Sequence, residues 1–428
     1  MRAIAFCLFW LLAASIALAQ DATPPAQSPQ APAAQVVAPP RGDADAVPLE
    51  EIRRYVGVFR AVKDAYVDPI SDTELMRAAL RGLLADLDPH SAYLEKENAA
   101  QLNEMTTGRY VGIGVELEQR ADRQLVVVAP VDDSPAALAG IRAGDVIVAI
   151  DDKPIEGRDV DQASRGLRGP PGTTVKLRIR RAGEAEPRDF TLVRAEIARS
   201  SVSGRLLEPG YAYVRIASFQ AVTGRDLSKQ VLKLAKANKD PLRGLVLDLR
   251  SNPGGVLAAA VASADVFLDG GLVVRSRGRL ATANAAYRAN PGDLLDGAPI
   301  VALIDSGTAS AAEVLAGALQ DHQRGRLVGS RTFGKGSIQS VVPLANGDAV
   351  KLTTGRYYTP DGHSIQAHGL KPDVPLAGKS AAGMREQDLP GHLAGTEEAA
   401  DGYARGEVLE GDGPIAAALA ELKKPVVR

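Results

Sequence analysis

An apolar run that leads through a turn of small residues into an alanine-rich stretch is the strongest constraint on the fold of this 428-residue chain. The run, IVALI at 300–304, is short, does not alternate with polar residues and ends at the turn DSGTAS (305–310). That pattern predicts a strand buried on both faces. The next stretch, 311–319, predicts a helix with a single apolar stripe. The stripe consists of Val314, Leu315, Ala318 and Leu319.

Ser310 immediately precedes this helix, where unpaired backbone N–H groups stabilise negative charge. A serine there can simply cap the helix. Lys335 suggests a second role, because Gly334 and Gly336 flank it and allow close packing of the backbone around the amine. Burial lowers the pKa of a lysine from about 10.4, and a neutral amine is a base that can activate a serine. Glu313, one turn beyond Ser310, is expected to make a structural hydrogen bond.

These residues resemble the catalytic core of the carboxyl-terminal processing proteases. The resemblance lies in GTASAAE at 307–313, in Lys335 within GKG, and in Gln339 four positions later. This family consists of PDZ-containing S41 serine peptidases, also called tail-specific proteases, with a Ser-Lys dyad. The resemblance implies that Ser310 is the nucleophile, Lys335 the general base and Gln339 the group that orients the lysine. It implies neither a metal nor another cofactor.

The first 19 residues are typical of a secretory signal peptide, with one arginine, an apolar core and a small-residue ending that predicts cleavage after Ala19. An uncleaved membrane anchor is the alternative, although the apolar run is barely long enough to span a bilayer. The only cysteine, Cys7, lies inside this segment, so the mature protein would have no disulfide. We therefore expect an exported protein, in a bacterial periplasm, either free or membrane-associated. Residues 20–48, rich in Ala, Pro and Gln, predict a linker.

Apolar residues at helical spacing predict a helical region over 49–106, with one helix from Leu49 that closes by Pro69 and a second over 72–85. These helices either form a dimerisation arm or pack on the body. His90 beside Ser91, in a DPHS turn, suggests a catalytic pair, but a structural turn is the simpler interpretation. The resemblance also implies a non-catalytic element there. His363 and His368 have no matching acid or cysteine, so no metal site is predicted.

Short strands punctuated by glycine characterise residues 107–195. The string GIRAGDVIVAID at 140–151 and the loop GIG at 112–114 resemble a PDZ domain, which captures the free C-terminus of a polypeptide. On that resemblance the carboxylate would be bound by the N–H groups of Ile113, Gly114 and Val115. The resemblance also makes Arg168 a candidate sensor that links peptide binding to the active site; an ordinary solvated arginine is the alternative.

A second strand-to-helix turn, DLRSNPGG at 248–255, lies in the segment 196–376 and exposes backbone donors at a helix start. A purely structural turn is the alternative interpretation. In the family that it resembles, this turn lies beside the nucleophile. We therefore expect an oxyanion hole formed by the N–H of Gly254 or Gly255 together with that of Ala311.

The predicted fold is an α/β protein: a crotonase/ClpP-like layered protease core with an inserted PDZ β-domain and an N-terminal helical region. The predicted divisions are 1–19 signal peptide, 20–48 linker, 49–106 helical region, 107–195 PDZ domain, 196–376 serine protease core and 377–428 C-terminal tail with a short helix.

The predicted function is an exported serine endopeptidase that cleaves polypeptides near their C-termini. Expected partners are polypeptides with accessible C-termini, an adaptor or activator protein, and a second copy bound through the N-terminal helices. A net charge of −2 and a pI near 6.3 give no reason to expect a nucleic acid. One alternative is a catalytically silent PDZ-based binding or scaffold protein, against which the intact Ser310, Lys335 and Gln339 argue. A Ser-His-Asp esterase is the other, but no Gly-x-Ser-x-Gly motif surrounds Ser310.

Overall fold

The computed structural model describes most of the chain. The described residues are 47–120, 124–131, 133–155, 165–198, 200–377, 384–395, 407–408 and 413–424. The predicted signal peptide and nearly all of the predicted linker lie outside them. Within this part of the chain, no helix combines the length and the apolar character needed to cross a bilayer.

The first two helices begin at the predicted residues, Leu49 and Asp72, and the second has a capping signal. Ser71 caps the second helix: its Oγ accepts from the N–H of Glu74, whose carboxylate accepts from the N–H of Ser71. The described α-helices are α1 Leu49–Ala65, α2 Asp72–Ala85, α3 Lys96–Thr107, α4 Pro135–Leu138, α5 Thr223–Asn238, α6 Leu257–Asp265, α7 Ala311–Asp321 and α8 Gly413–Leu422. Short 3-10 turns lie at Ala281–Ala283 and Glu386–Asp388.

A seven-stranded sheet forms the centre of the protease core. Its strands, in spatial order, are β10 Val202–Glu208, β11 Tyr211–Ile216, β12 Gly244–Asp248, β15 Ile300–Ile304, β16 Gly325–Gly329, β19 Val374–Ala377 and β20 Glu407–Val408. Only β10 is antiparallel to its neighbour; the other pairings are parallel. The loops after β12 and β15 therefore leave the same edge of the sheet side by side, as ligand-binding loops of parallel sheets do.

Both faces of this sheet are covered, which explains the uninterrupted apolar strands. Leu245 and Leu247 pack with α5, α6 and α7 in the main core. Val246, between them, faces the opposite side, where Ile415 and Leu422 of α8 cover it. Such two-sided burial is typical of parallel strands.

Helix α7 differs from the prediction in one respect. All nine residues from Ala311 to Leu319 are buried, not a single stripe. The alanines and Gly317 leave a thin helix that fits between the sheet and the second sheet of the core, so the polar face expected for a surface helix is absent.

The PDZ-like unit is a separate sheet with its own core. Its strands are β3 Val115–Gln119, β4 Leu125–Pro130, β5 Val146–Ile150, β6 Lys153–Pro154, β7 Thr174–Arg180 and β8 Arg188–Val193. The strands that enter and leave this unit, β2 Arg109–Gly112 and β9 Ala195–Ala198, pair with each other. Strand β3 lies at the edge of its sheet, the position at which a further strand can be added.

The second sheet of the core brings distant segments together. It contains β1 Ala92–Leu94, β13 Gly271–Arg277, β14 Ala285–Ala289, β17 Ser337–Pro343 and β18 Ala349–Tyr358. Strand β18 pairs with β17 on one side and with β1 on the other. The N-terminal turn that precedes β1 therefore lies beside the loop that carries Lys335.

Candidate active site

Ser310 lies at the junction between the turn after β15 and the first residue of α7. It is 8% exposed and has φ 56° and ψ −117°, a conformation that L-residues rarely adopt. Strain of this kind costs about 1–3 kcal/mol and is concentrated at functional sites. The sequence did not indicate it, because the dihedral angles are imposed by contacts on both sides of the turn.

The turn after β12 packs directly against Ser310. A Cβ on Gly254 would lie 2.8 Å from the Cβ of Ser310 and 2.7 Å from the carbonyl oxygen of Ala309. Asn252, fully buried, fixes the turn by donating to the carbonyl of Ile216 and by accepting the N–H of Ala309 on its own carbonyl. Only glycine allows the two backbones to approach so closely.

One predicted oxyanion donor is already engaged. The N–H of Gly254 donates to Asn252 Oδ1 at 2.9 Å. The predicted oxyanion donors that remain are the N–H of Gly255, which has φ 140°, and the N–H of Ala311 at the start of α7. Such donors act where charge develops on the carbonyl oxygen of a substrate.

Lys335 has the environment that a base requires. Burial lowers the pKa of its amine to about 8, although the nearby carboxylate of Glu386 acts in the opposite direction. A Cβ on Gly336 would lie 2.4 Å from the backbone nitrogen of Gln366, so the glycine permits the tight packing that excludes water. The amine therefore loses its proton far more readily than an exposed lysine.

Gln339 holds the lysine. Lys335 Nζ donates to Gln339 Oε1 at 2.5 Å, while the Gln339 amide nitrogen donates to Ser337 Oγ and Thr353 Oγ1, both at 3.1 Å. The structure thus brings together two of the three predicted catalytic residues through a direct hydrogen bond. Among the described residues, no hydrogen bond joins Ser310 Oγ to Lys335 Nζ.

Glu313 connects the two loops. Its buried carboxylate accepts from the N–H groups of Ser310, Gly334 and Lys335 and from the hydroxyl of Thr332. Burial raises its pKa to about 7, against the effect of these hydrogen bonds. The structural hydrogen bond predicted for Glu313 is present, and it holds the nucleophile and the lysine loop in one frame.

A residue from the C-terminal segment reaches the site without any signal in the sequence. Glu386 is fully buried; its carboxylate lies 2.8 and 3.0 Å from His90 Nε2 and accepts from the side chain of Gln366. Gln366 in turn accepts the N–H of Gly336, next to the lysine. His90 is therefore part of a structural link to the lysine loop.

A cavity of about 560 Å³ lies beside strand β3. The loop 112–114, Val115 and Leu167 form one part of its lining, and Glu104 of α3 closes another. The three residues predicted to bind a peptide carboxylate are therefore in the cavity wall. The cavity therefore lies along an edge strand, the kind of position at which a peptide can add a strand to a sheet.

Arg168 is an exposed residue with two protein partners. Its guanidinium forms an ion pair with Glu104 and lies 5.6 Å from the centre of the Tyr110 ring. It lines the same cavity as the predicted carboxylate loop. Both side chains of the ion pair remain partly exposed.

No group of three or more His, Cys, Asp or Glu side chains that could hold a metal ion occurs in the ranges that the structure describes. The carboxylates around Lys335, those of Glu313, Glu386 and Asp88, instead accept hydrogen bonds from protein donors.

Models of two families match the chain. Residues 210–376 match Peptidase family S41, and residues 126–181 match the PDZ domain. The first range contains all three predicted catalytic residues, and the second lies within the separate sheet described above.

Curated relatives are similar over most of the chain. The Carboxy-terminal-processing protease of Bartonella bacilliformis is 40% identical over 361 residues, which cover 82% of this chain and 83% of the relative. A Probable CtpA-like serine protease of Staphylococcus haemolyticus is 34% identical over 77% of this chain and 65% of its own length. Among solved structures, the photosystem II D1 C-terminal processing protease is 33% identical. The match covers 77% of this chain and 94% of the solved chain, with a TM-score of 0.44.

Proposed function

This chain belongs to the S41 family of serine peptidases, and we propose that it is an exported endopeptidase that uses Ser310 and Lys335 to cleave polypeptides near their C-termini. The family and the fold predicted from the sequence are confirmed. The observation that supports the proposed chemistry is the buried amine of Lys335, whose pKa is lowered and which is hydrogen-bonded to Gln339. Glu313 accepts from the backbone N–H groups of both Lys335 and Ser310 and so holds the two residues near each other.

The reaction would proceed as an acyl transfer. Neutral Lys335 Nζ takes the proton of Ser310 Oγ as that oxygen attacks the scissile carbonyl carbon. Negative charge on the carbonyl oxygen is stabilised by the N–H groups of Gly255 and Ala311. Collapse breaks the C–N bond, and the Lys335 ammonium returns the proton to the leaving amine. Water, deprotonated by Lys335, then attacks the ester carbon; the bond to Ser310 Oγ breaks, and the Lys335 ammonium returns the proton to that oxygen.

The PDZ domain would recognise the substrate tail. The cavity has room for a peptide, and it lies beside β3, a strand at the edge of its sheet. The loop at 112–114 in its wall can present N–H groups to a carboxylate. Arg168, at the same cavity, is proposed to sense the bound tail: its ion pair with Glu104 breaks, and it pairs with the peptide carboxylate instead. Export to the periplasm is proposed from the signal-peptide pattern of residues 1–19.

Cleavage of an unfolded polypeptide tests this function. The mature protein, Ser310→Ala and Lys335→Ala are each incubated with the substrate in two forms, with a free and with an amidated C-terminus, and the fragments are identified by mass spectrometry. Cleavage that requires Ser310, Lys335 and the free carboxylate supports the proposal. Cleavage that survives Lys335→Ala but not the replacement of one histidine would indicate an esterase-like triad instead.

The N-terminal helices are proposed to join two copies. Helix α1 has no buried residue, and Ile52, Tyr55, Val56 and Val58 expose apolar surface. Analytical ultracentrifugation of the mature protein and of Ile52→Asp would show a dimer that dissociates in the variant. A monomer in both cases would contradict this arrangement and leave an adaptor protein as the expected partner.

A further inference from the structure

We propose that Asp88 and Thr353 are positioning residues for the general base of this enzyme. They act through Gln339, whose amide carries their effect to the amine of Lys335. The proposal rests on the proposed function, because it concerns the base that activates the nucleophile. It assigns a role to the DPHS turn at 88–91.

Asp88 is the fixed end of this chain of hydrogen bonds. It is 4% exposed, and its carboxylate accepts from the N–H groups of His90 and Ser91 and from the hydroxyl of Ser91, each at 2.8 Å. Burial alone would raise its pKa, but these hydrogen bonds outweigh burial and hold the pKa below its ordinary value. The carboxylate therefore stays ionised and can only accept hydrogen bonds.

That property determines the direction of the next hydrogen bond. Thr353 Oγ1 lies 3.1 Å from Asp88 Oδ1 and must donate its proton there. The same oxygen lies 3.1 Å from the amide nitrogen of Gln339, toward which it can act only as an acceptor. Thr353 thus fixes which end of the Gln339 amide faces it.

The amide orientation then determines what Lys335 meets. With its nitrogen bound to Thr353 and Ser337, Gln339 presents Oε1 to Lys335 Nζ. Without the Thr353 hydroxyl, the amide can turn and present its NH₂ group to the amine. Two donors would then face each other, and the amine would keep only the more distant acceptor, the carbonyl oxygen of Ser337 at 3.5 Å.

Thr353→Val is the sharpest test because valine keeps the shape of the side chain and changes no charge. The charged groups that face Lys335 are Glu386, Lys351, Glu313 and Asp88, and this variant leaves all four in place. An Asp88→Asn variant would instead remove an anion that raises the pKa of Lys335. Thr353→Ser, which keeps the hydroxyl, is the matched control.

Two readouts are measured in wild type and both variants. The first is the pH profile of kcat and KM for cleavage of an unfolded polypeptide, with Ser310→Ala as the blank. The second is the pH dependence of acetylation of Lys335 by acetic anhydride, followed by mass spectrometry, which reports the state of the amine without any need for activity.

For Thr353→Val we expect kcat to fall about 10- to 100-fold at constant KM, the loss typical of a misplaced catalytic group. Both pH profiles should move to lower pH, because the ammonium loses its acceptor. Thr353→Ser should behave like the wild type. A merely structural loosening would admit water and move the Lys335 profile upward, toward about 10.4.

An unchanged Thr353→Val, or a Lys335 profile that moves upward, overturns the inference. If the wild type shows no cleavage that depends on Ser310, the proposed function fails, and the acetylation profiles alone decide the inference. A downward shift in Thr353→Val but not in Thr353→Ser would then still establish the positioning role.

Discussion

The backbone N–H groups of Ser310 and Lys335 donate to the same oxygen atom, Oε2 of Glu313, at 2.8 and 2.9 Å. The backbones of the two residues are therefore held in a fixed relative position, independently of any contact between their side chains. Motions that change the distance between the hydroxyl and the amine can occur by side-chain rotation without dismantling this frame.

Glu313→Gln should weaken that frame, because an amide cannot accept from four donors as the carboxylate does. We expect a loss of about 1–3 kcal/mol in the free energy of unfolding, measured with urea, and a lower kcat. The effect depends on pH: the folded pKa of Glu313, about 7, lies above its unfolded value of 4.5. Stability from its protonation is thus fully present below pH 4.5 and is lost as the pH rises through 7. A difference between wild type and variant that is constant over this window would contradict the assignment.

Activity should depend on the protonation of Lys335. Because burial lowers its pKa to about 8, kcat/KM should fall about tenfold for each pH unit well below 8 and reach a plateau above it. Lys335→Ala should reduce kcat by about 10²- to 10⁴-fold. Lys335→Arg, which keeps the positive charge but cannot release its proton, should be equally inactive. An active arginine variant would exclude a base at this position.

Glu386→Gln should move the acid limb of the same profile to lower pH. The Glu386 carboxylate stabilises the ammonium form of Lys335, so its removal favours the neutral amine. Asp388→Asn, an exposed change in the same 3-10 turn, is the matched control and should leave the profile where it is. Identical profiles for both variants would show that Glu386 does not act on the lysine.

Gly254→Ala should abolish activity, since the new Cβ would lie 2.8 Å from the Cβ of Ser310. Gly270→Ala provides a matched control: its φ of 92° is close to the 94° of Gly254, but a Cβ at Gly270 would meet no other atom within 4 Å. The two variants share the strain of a positive φ, about 1 kcal/mol or more, and differ in the clash. Thermal unfolding should show a modest loss of stability in Gly270→Ala and a larger one in Gly254→Ala, and cleavage assays should show a loss of activity only in Gly254→Ala.

Arg168→Ala should reduce the preference for substrates with a free C-terminal carboxylate. Arg178→Ala removes another exposed ion pair of the same domain, with Asp189, and is the control. We expect the ratio of cleavage of free to amidated substrate to fall about tenfold for Arg168→Ala and to stay unchanged for Arg178→Ala. Equal ratios in the two variants would place the sensor elsewhere.

Features with a local cause were predictable from the sequence. Strand β15 and helix α2 have the predicted bounds, because an unbroken apolar run and a capping box are complete signals in themselves. The lowered pKa of Lys335 followed from its two flanking glycines. Helix α3 was predicted only as part of a helical region, since Leu102 and Met105 are its only large apolar residues and do not form an apolar stripe.

Features that depend on distant contacts were not predictable. The strain at Ser310 arises in a turn that distant segments hold: Gly254 packs against it, and Glu313 ties it to the loop at 334–335. The role of Glu386 has no local sign at all, since it lies in a polar segment, 296 positions after its partner His90. From the sequence alone, a single glutamate in such a segment cannot be distinguished from a solvent-exposed glutamate.

Because His90 and Glu386 meet behind the lysine, the active site is assembled from segments near both ends of the described chain. A nascent polypeptide interrupted before residue 386 would contain the nucleophile and the lysine, but not the carboxylate that completes the lysine's surroundings. Such a chain would lack the contacts of Glu386 with His90 and Gln366, so this part of the lysine's surroundings can form only after the C-terminal segment has been made.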